Sequence, residues 1–188
     1  INYDNNMKIG IISDTHDDIE YTNKAIDIFE KKDVKVILHA GDIISPAMIL
    51  EFQRLTEKGV RMFGILGNND GEKNGIKEAF RKIGGEFLGD VGKIEIDEVK
   101  FGMYHGHEVK KTKKFMSSNK FDVFIFGHSH IREPKSDNPK IIGKTLIFNP
   151  GSAHRKSQSG YTKRDIFGEP TILVFETKSK EFEFIYLD

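Results

Sequence analysis

Read as a pattern of apolar and polar positions, the first half of the chain alternates short apolar runs with amphipathic stretches of helical period. Lys8 to Ser13, Val34 to His39 and Val60 to Leu66 have strand length, and between them come a helix near 18–31 and another near 45–57. Ile19, Ile26 and Phe29 recur on one face of the first helix. Ser45 and Pro46 offer the second helix an N-cap and a first-turn proline, ahead of Met48, Ile49, Phe52 and Leu55. A third helix near 74–83 is expected to stop at Gly84 and Gly85, because a glycine past the last turn adopts the left-handed conformation without steric cost. This alternation predicts a parallel sheet.

From about residue 86 the pattern changes to shorter strands. Ile94 to Ile96 and Val99 to Tyr104 flank Asp97-Glu98, and Phe121 to Phe126, Ile141 to Phe148, Ile172 to Glu176 and Phe182 to Leu187 follow. A parallel α/β half joined to a meander-like half predicts two β-sheets packed face to face with helices outside. The polar stretch 153–170 is long for a connection inside a compact domain, so it reads either as a lid over a site or as a plain loop, with Tyr161, Lys163 and Arg164 inside it. No linker divides the 188 residues, and one domain over 7–188 is expected, with residues 1–6 read as an extension or cloning remnant before Met7.

Composition removes several function classes. Lys+Arg and Asp+Glu balance at 29 each, so no global field draws the chain to nucleic acid or an anionic membrane. The apolar runs are too short to span a bilayer, and a cytoplasmic protein is expected. The absence of cysteine leaves only imidazole, carboxylate and amide groups to hold a metal.

Candidate chemistry collects at five places of the same kind, each an apolar run ending in a small residue and a metal-competent side chain. These are Asp14-Thr15-His16, Gly41-Asp42, Gly67-Asn68-Asn69-Asp70, His105-Gly106-His107 and Gly127-His128-Ser129-His130. Groups just past the carboxyl ends of parallel strands share one rim, so the five clusters are expected to converge. The i and i+2 pairs suggest extended backbone that sends both side chains to one side. Five of the seven histidines belong to these clusters. His39 reads as a hydrogen-bonded core residue, and His154 is set aside.

In this order the motifs resemble the signature of calcineurin-like metallophosphoesterases over nearly the whole chain. The Gly-Asn-x-Asp form and Asn149-Pro150-Gly151-Ser152 are similar to the small single-domain phosphodiesterase branch, which includes the metal-depleted scaffold subunit of retromer. The resemblance implies a four-layer α/β/β/α fold and two divalent ions, Mn²⁺ first, with Ni²⁺, Fe, Zn²⁺ or Mg²⁺ as alternatives. One ion would take Asp14, His16, Asp42 and His130, the other Asp42, Asn68, His105 and His128, with Asp42 shared. It further implies hydrolysis of a small phosphate ester, a diester before a monoester, by a metal-bridging hydroxide attacking phosphorus. A protein-interaction scaffold on the same fold is the alternative, and a homo-oligomer is left open.

One departure bears on mechanism. Larger family members carry a proton-donating histidine where this chain has Asn69, and an amide is no acid at neutral pH. Asn69 is then a substrate contact, and His107, Asp70 or a metal-held water would supply the proton. His107 reads first as a group orienting the ligands. Arg155, shortly after Gly151-Ser152, is a candidate phosphate contact. The basic run Lys110-Lys111-Thr112-Lys113-Lys114 reads as a solvated helix face.

Overall fold

The computed structural model describes residues 6–155 and 169–188. Its first sheet is built on β1 (Lys8–Ile12), β2 (Val36–His39), β3 (Arg61–Gly64) and β4 (Glu86–Phe87), paired in parallel in that order. The second contains β5 (Val91–Ile96), β6 (Val99–Tyr104), β7 (Val123–Ile125), β8 (Ile141–Ile142) and β9 (Thr145–Phe148) in the order β5-β6-β7-β9-β8. The C-terminal hairpin of β10 (Thr171–Glu176) and β11 (Phe182–Tyr186) returns to the first sheet, where β10 lies antiparallel to β1.

Alternation along each strand sorts the side chains into layers. Ile9, Ile11, Val36 and Leu38 turn toward Phe101, Met103, Val123 and Ile125 to form the core between the sheets. The other face of the first sheet is covered by α1 (Ile19–Lys31), α2 (Pro46–Leu50), α3 (Gln53–Thr56) and α4 (Lys73–Lys82), which bury Phe29, Met48, Phe52, Leu55 and Phe80. On the far side of the second sheet Tyr104, Phe124 and Ile147 pack with Phe115 and Met116 of α5 (Val109–Met116). The layers are α/β/β/α, as the motif pattern implied.

Several local expectations need correction. The helix expected near 45–57 is two short helices: Phe52 and Leu55 donate to carbonyls three residues back, at Ile49 and Phe52, and both side chains enter the core. Ile141 to Phe148 is a tight hairpin, because Gly143 at φ 61° reverses the chain between Ile142 and Thr145. The second half is also no meander, since β6, β7 and β9 run parallel. In α1 the buried face is Thr22, Ala25, Ile26 and Phe29, and Ile19 in the first turn is 52% exposed.

Asn6, assigned by pattern to the N-terminal extension, is tied to the β10–β11 turn by the N–H groups of Lys178 and Ser179. Residues 1–5 lie outside the described part, as do Tyr161, Lys163 and Arg164 and most of the stretch read as a lid. Among the described residues no helix is long and apolar enough to cross a membrane. The basic run falls on α5, where Lys110, Lys113 and Lys114 are exposed and Thr112 is buried.

Candidate metal centre

Five parallel strands, β1, β2, β3, β6 and β7, end at the five clusters, and the crowding there explains their glycines. A Cβ on Gly67 would stand 2.1 Å from Asp42 Oδ1, and one on Gly127 would stand 2.1 Å from Ser13 Oγ and 2.6 Å from Asp14 Oδ2. Each of these glycines therefore clears room for the side chains on a neighbouring strand end. Cross-links hold the ends together: Asp14 N donates to Gly41 O, His16 N to Asp42 O and Gly127 N to His105 O.

The backbone there is not extended. Asp14, His16, Asp42, His128 and His130 have φ of 54°, 43°, 56°, 66° and 58°. Left-handed backbone at non-glycine residues is costly and persists only where the surroundings enforce it. Asp14-x-His16 and His128-x-His130 bring their groups to the cluster on twisted backbone, so the extended geometry inferred from the i, i+2 spacing is corrected there.

One tight group has formed. Ligand-competent atoms of Asp14, His16, Asp42 and His130 lie within 4.8 Å of one another. Asp14 Oδ1 is 3.2 Å from His130 Nε2, 3.7 Å from His16 Nε2 and 3.9 Å from His105 Nε2. Asp42 Oδ2 lies between the two sides of the cluster, 3.5 Å from His16 Nε2 and 3.3 Å from His105 Nε2. The His128 ring is 5.3 Å from that of His105, centroid to centroid. Asn68 follows Gly67 at the rim and is exposed.

Supporting contacts fix which atoms face inward. Asp14 Oδ2 accepts from Ser13 Oγ at 2.6 Å and His128 N at 3.1 Å, whereas buried Oδ1 has no hydrogen bond. His105 Nδ1 lies 2.9 Å from the Ala40 carbonyl, an obligate acceptor, so Nδ1 carries the proton and Nε2 the lone pair in the neutral ring. Nε2 is likewise buried without a partner. A carboxylate oxygen and an imidazole lone pair, both buried and unsatisfied, are acceptors that a cation would satisfy together. The donor set therefore fits a divalent ion.

Charge agrees with this geometry. Burial would raise the Asp14 carboxyl, but His130, His16 and His105 hold it well below the usual carboxylate range. Burial also opposes ionisation of Asp42, and His105 and Asn69 bring it down to about 2. Both carboxylates are thus ionised at neutral pH. Burial opposes protonation of His16 and His105, yet the adjacent carboxylates raise both above the ordinary imidazole value.

Of the remaining candidates, Asn69, Asp70 and Arg155 are placed differently from expectation. Asn69 is not turned to a substrate: its N–H donates to Asp42 Oδ1 at 2.9 Å and its Nδ2 to Oδ2 at 2.8 Å. Asp70 accepts from the backbone N–H of Asp42, Ile43, Ile44 and Gly67 and is 2% exposed, so it braces the Asp42 turn and is not free to protonate a leaving group. Arg155 is engaged by Asp18 in a two-pronged pair at 2.8 and 3.1 Å and by Glu20 at 3.0 Å, which leaves no free fork for a phosphate. His107 lies 3.2 Å from Tyr104 Oη, with its ring 5.9 Å from that of His105. His39 is fully buried between Thr15 Oγ1 and the N–H of Gly41, a core role.

His154 was missed. Its ring lies 4.9 Å from that of His16 and 5.0 Å from that of His130. The available signal was a sixth apolar run, Leu146 to Phe148, ending in Asn149-Pro150-Gly151-Ser152 just before it.

A family model described as the calcineurin-like phosphoesterase superfamily domain matches residues 7–180. Phosphodiesterase MJ0936 of Methanocaldococcus jannaschii is 36% identical over 183 residues, covering 97% of this chain and 100% of that protein. The solved structure of an archaeal phosphodiesterase superposes with a TM-score of 0.78 at 34% identity, over 96% of this chain and 99% of that one. Vps29 of Chaetomium thermophilum shares the fold, with a TM-score of 0.57 at 14% identity over 96% of this chain and 94% of its own.

Proposed function

The chain belongs to the calcineurin-like phosphoesterase superfamily, and we propose that it is a metal-dependent phosphodiesterase working through two divalent ions. In this reading Asp14, His16, Asp42 and His130 hold one ion, and Asp42, Asn68, His105 and His128 hold the other. The observation that carries it is the pair of buried ionised carboxylates among imidazoles, with Asp14 Oδ1 and His105 Nε2 left unsatisfied. When bound, two such ions supply an activated water and neutralise charge on the phosphoryl oxygens.

The chain's own residues do the positioning. Asp42 would be shared, since its Oδ2 is within 3.5 Å of both His16 and His105, and Asn69 and Asp70 hold it there. Ala40 fixes the useful tautomer of His105. His107, linked to Tyr104, orients the His105 and His128 side of the cluster.

Beside His16 opens a depression of about 580 Å³ lined by His16, Asp17, Asp18, Ile19, Glu20 and Arg155. Its three carboxylates outnumber its one guanidinium, so the field there disfavours a dianionic monoester more than a monoanionic diester. Asn69 and Asp70 are both committed to the Asp42 turn, which favours esters whose leaving group departs without help from an acid.

The reading is tested by stripping metals, restoring Mn²⁺, Ni²⁺, Zn²⁺ or Mg²⁺ singly, and comparing an aryl phosphodiester with an aryl phosphomonoester. We expect turnover only after metal is restored, with the diester faster. No turnover with any ion would overturn the assignment.

A further inference from the structure

We infer that His154 is an additional ligand of the ion held by Asp14, His16, Asp42 and His130, giving that position three imidazoles and a bias toward nitrogen-preferring ions. This rests on the two-ion reading above and adds to it a residue and a metal preference.

Ring nitrogens of His16, His130 and His154 lie within 4.8 Å of one another, and the same His16 and His130 join Asp14 and Asp42 in the adjoining group. An ion held between His16 and His130 would therefore be within reach of both carboxylates and of His154. The orientation suits a ligand. His154 Nδ1 lies 3.2 Å from the backbone carbonyl of Asp14, which can only accept, so Nδ1 carries the proton and Nε2 the lone pair. His105 is fixed in the same way by Ala40. A ring N–H given to a carbonyl is the usual support behind a metal-ligating imidazole.

The segment carrying His154 is fixed as well. Asn149 Nδ2 donates to Gly127 O at 2.8 Å and to Ser129 Oγ at 3.0 Å, and its Oδ1 accepts from Gly151 N at 2.9 Å. Ala153 N donates to Ser13 O at 3.0 Å, which sets the next residue beside Asp14. The end of β9 thus delivers His154 to the cluster as the ends of β1 and β7 deliver His16 and His130.

The chemical consequence concerns ion choice. Carboxylate, carbonyl and water oxygens suit Mg²⁺ and Mn²⁺, while imidazole suits Zn²⁺ and Ni²⁺. A third imidazole should widen the preference for Zn²⁺ over Mn²⁺ at this position alone.

The test titrates metal-stripped protein with Zn²⁺ and, separately, Mn²⁺ by calorimetry, and records the visible spectrum of the Co²⁺-loaded form. It uses the wild type, His154→Ala and His154→Gln, each checked for native circular dichroism. Glutamine can still donate to the Asp14 carbonyl but offers no nitrogen lone pair. We expect both variants to bind two ions, with Zn²⁺ weakened ~10-fold or more at one position, the scale on which even the partners of ligands act. Mn²⁺ should weaken less and the Co²⁺ bands should shift. Unchanged affinities and spectrum with two ions bound, or a defect in the alanine variant that glutamine repairs, would overturn the role of His154 and leave the two-ion reading standing. Failure of the wild type to bind either ion would remove both.

Discussion

Around Asp14, atoms of Asp14, His16, Asp42 and His130 lie within 4.8 Å of one another and both carboxylates are buried, whereas on the His105 side Asn68 and His128 face solvent. The first side draws on β1, β2 and β7, and four left-handed residues, two of them buried carboxylates, hold it in place. The second draws its remaining groups from β3, β6 and β7, and of these His105 is the one that is fully buried. A site already in its bound arrangement loses less freedom on binding than one that must gather its ligands. The first side should therefore fill first and hold its ion more tightly.

Asp42 belongs to both sides, so changing it tests whether they are one centre. Asp42→Asn keeps the shape but removes the charge that offsets two neighbouring dications. We expect activity to fall by ~10²–10³-fold, the scale of losing one essential electrostatic group. Metal content by elemental analysis should fall with it. Full activity and two retained ions would show that Asp42 is not shared.

Asp70 holds the Asp42 turn through four backbone N–H groups. Asp70→Ala leaves those donors without a partner, and at about 1 kcal/mol or more for each the stability loss should be on the order of 3–5 kcal/mol by urea unfolding. A loss under about 1 kcal/mol would mean that water takes over the role of the carboxylate.

The pH response probes His39, which joins Thr15 to Gly41 behind the rigid side. Burial lowers His39 from 6.5 to about 4. As pH falls, the unfolded chain takes up a proton near 6.5 while the folded chain does not, so unfolding is favoured. The stability that neutral His39 contributes is thus complete above about 6.5 and is lost as pH falls toward 4, amounting to about 3 kcal/mol over the window. Urea midpoints of the metal-free protein at several pH values should show this slope, and His39→Gln should flatten it. An unchanged slope in that variant would assign the acid sensitivity to other groups.

Asn68 probes the open side. Asn68→Ala is expected to weaken one ion ~10-fold and leave the other as it was. Weakening of both ions would contradict the contrast between the sides.

The sequence carried the convergence of the clusters but not the contrast between the two sides. The five clusters were legible because each follows an apolar run, and groups just past the ends of parallel strands share one rim. Two packed sheets were legible from the change from alternating strands and helices to shorter strands near residue 86, and the four-layer order from the resemblance. Chain order hid the return of β10 to the first sheet, which depends on pairing across more than 160 residues, Ile9 with Phe175 for example. The left-handed backbone at Asp14 and Asp42 was hidden because neither residue type requires it. Asn69 and Asp70 were visible as polar residues, but which partners they hold depends on a turn conformation that local spacing does not specify. His154 was passed over because proximity to His16 comes from the far end of the chain.

Arg155 offers the smallest effect and a sharp discrimination. Its guanidinium spans Asp18 and Glu20 at the start of α1, beside the depression next to His16, and lies 5.7 Å from the centre of the Tyr21 ring. Asp18 caps the helix by accepting from Tyr21 N, and Arg155 helps hold its carboxyl down at about 2. The side chain is more than half exposed, so the pair is screened by solvent and contributes little to the fold. If Arg155 serves only the helix start, Arg155→Ala should change kcat/KM for an aryl diester by less than ~2-fold, as expected for a solvent-screened pair. A tenfold loss confined to KM would instead mean that the guanidinium leaves Asp18 for the substrate phosphate, and that the rim beside the rigid side is itself rearranged on binding.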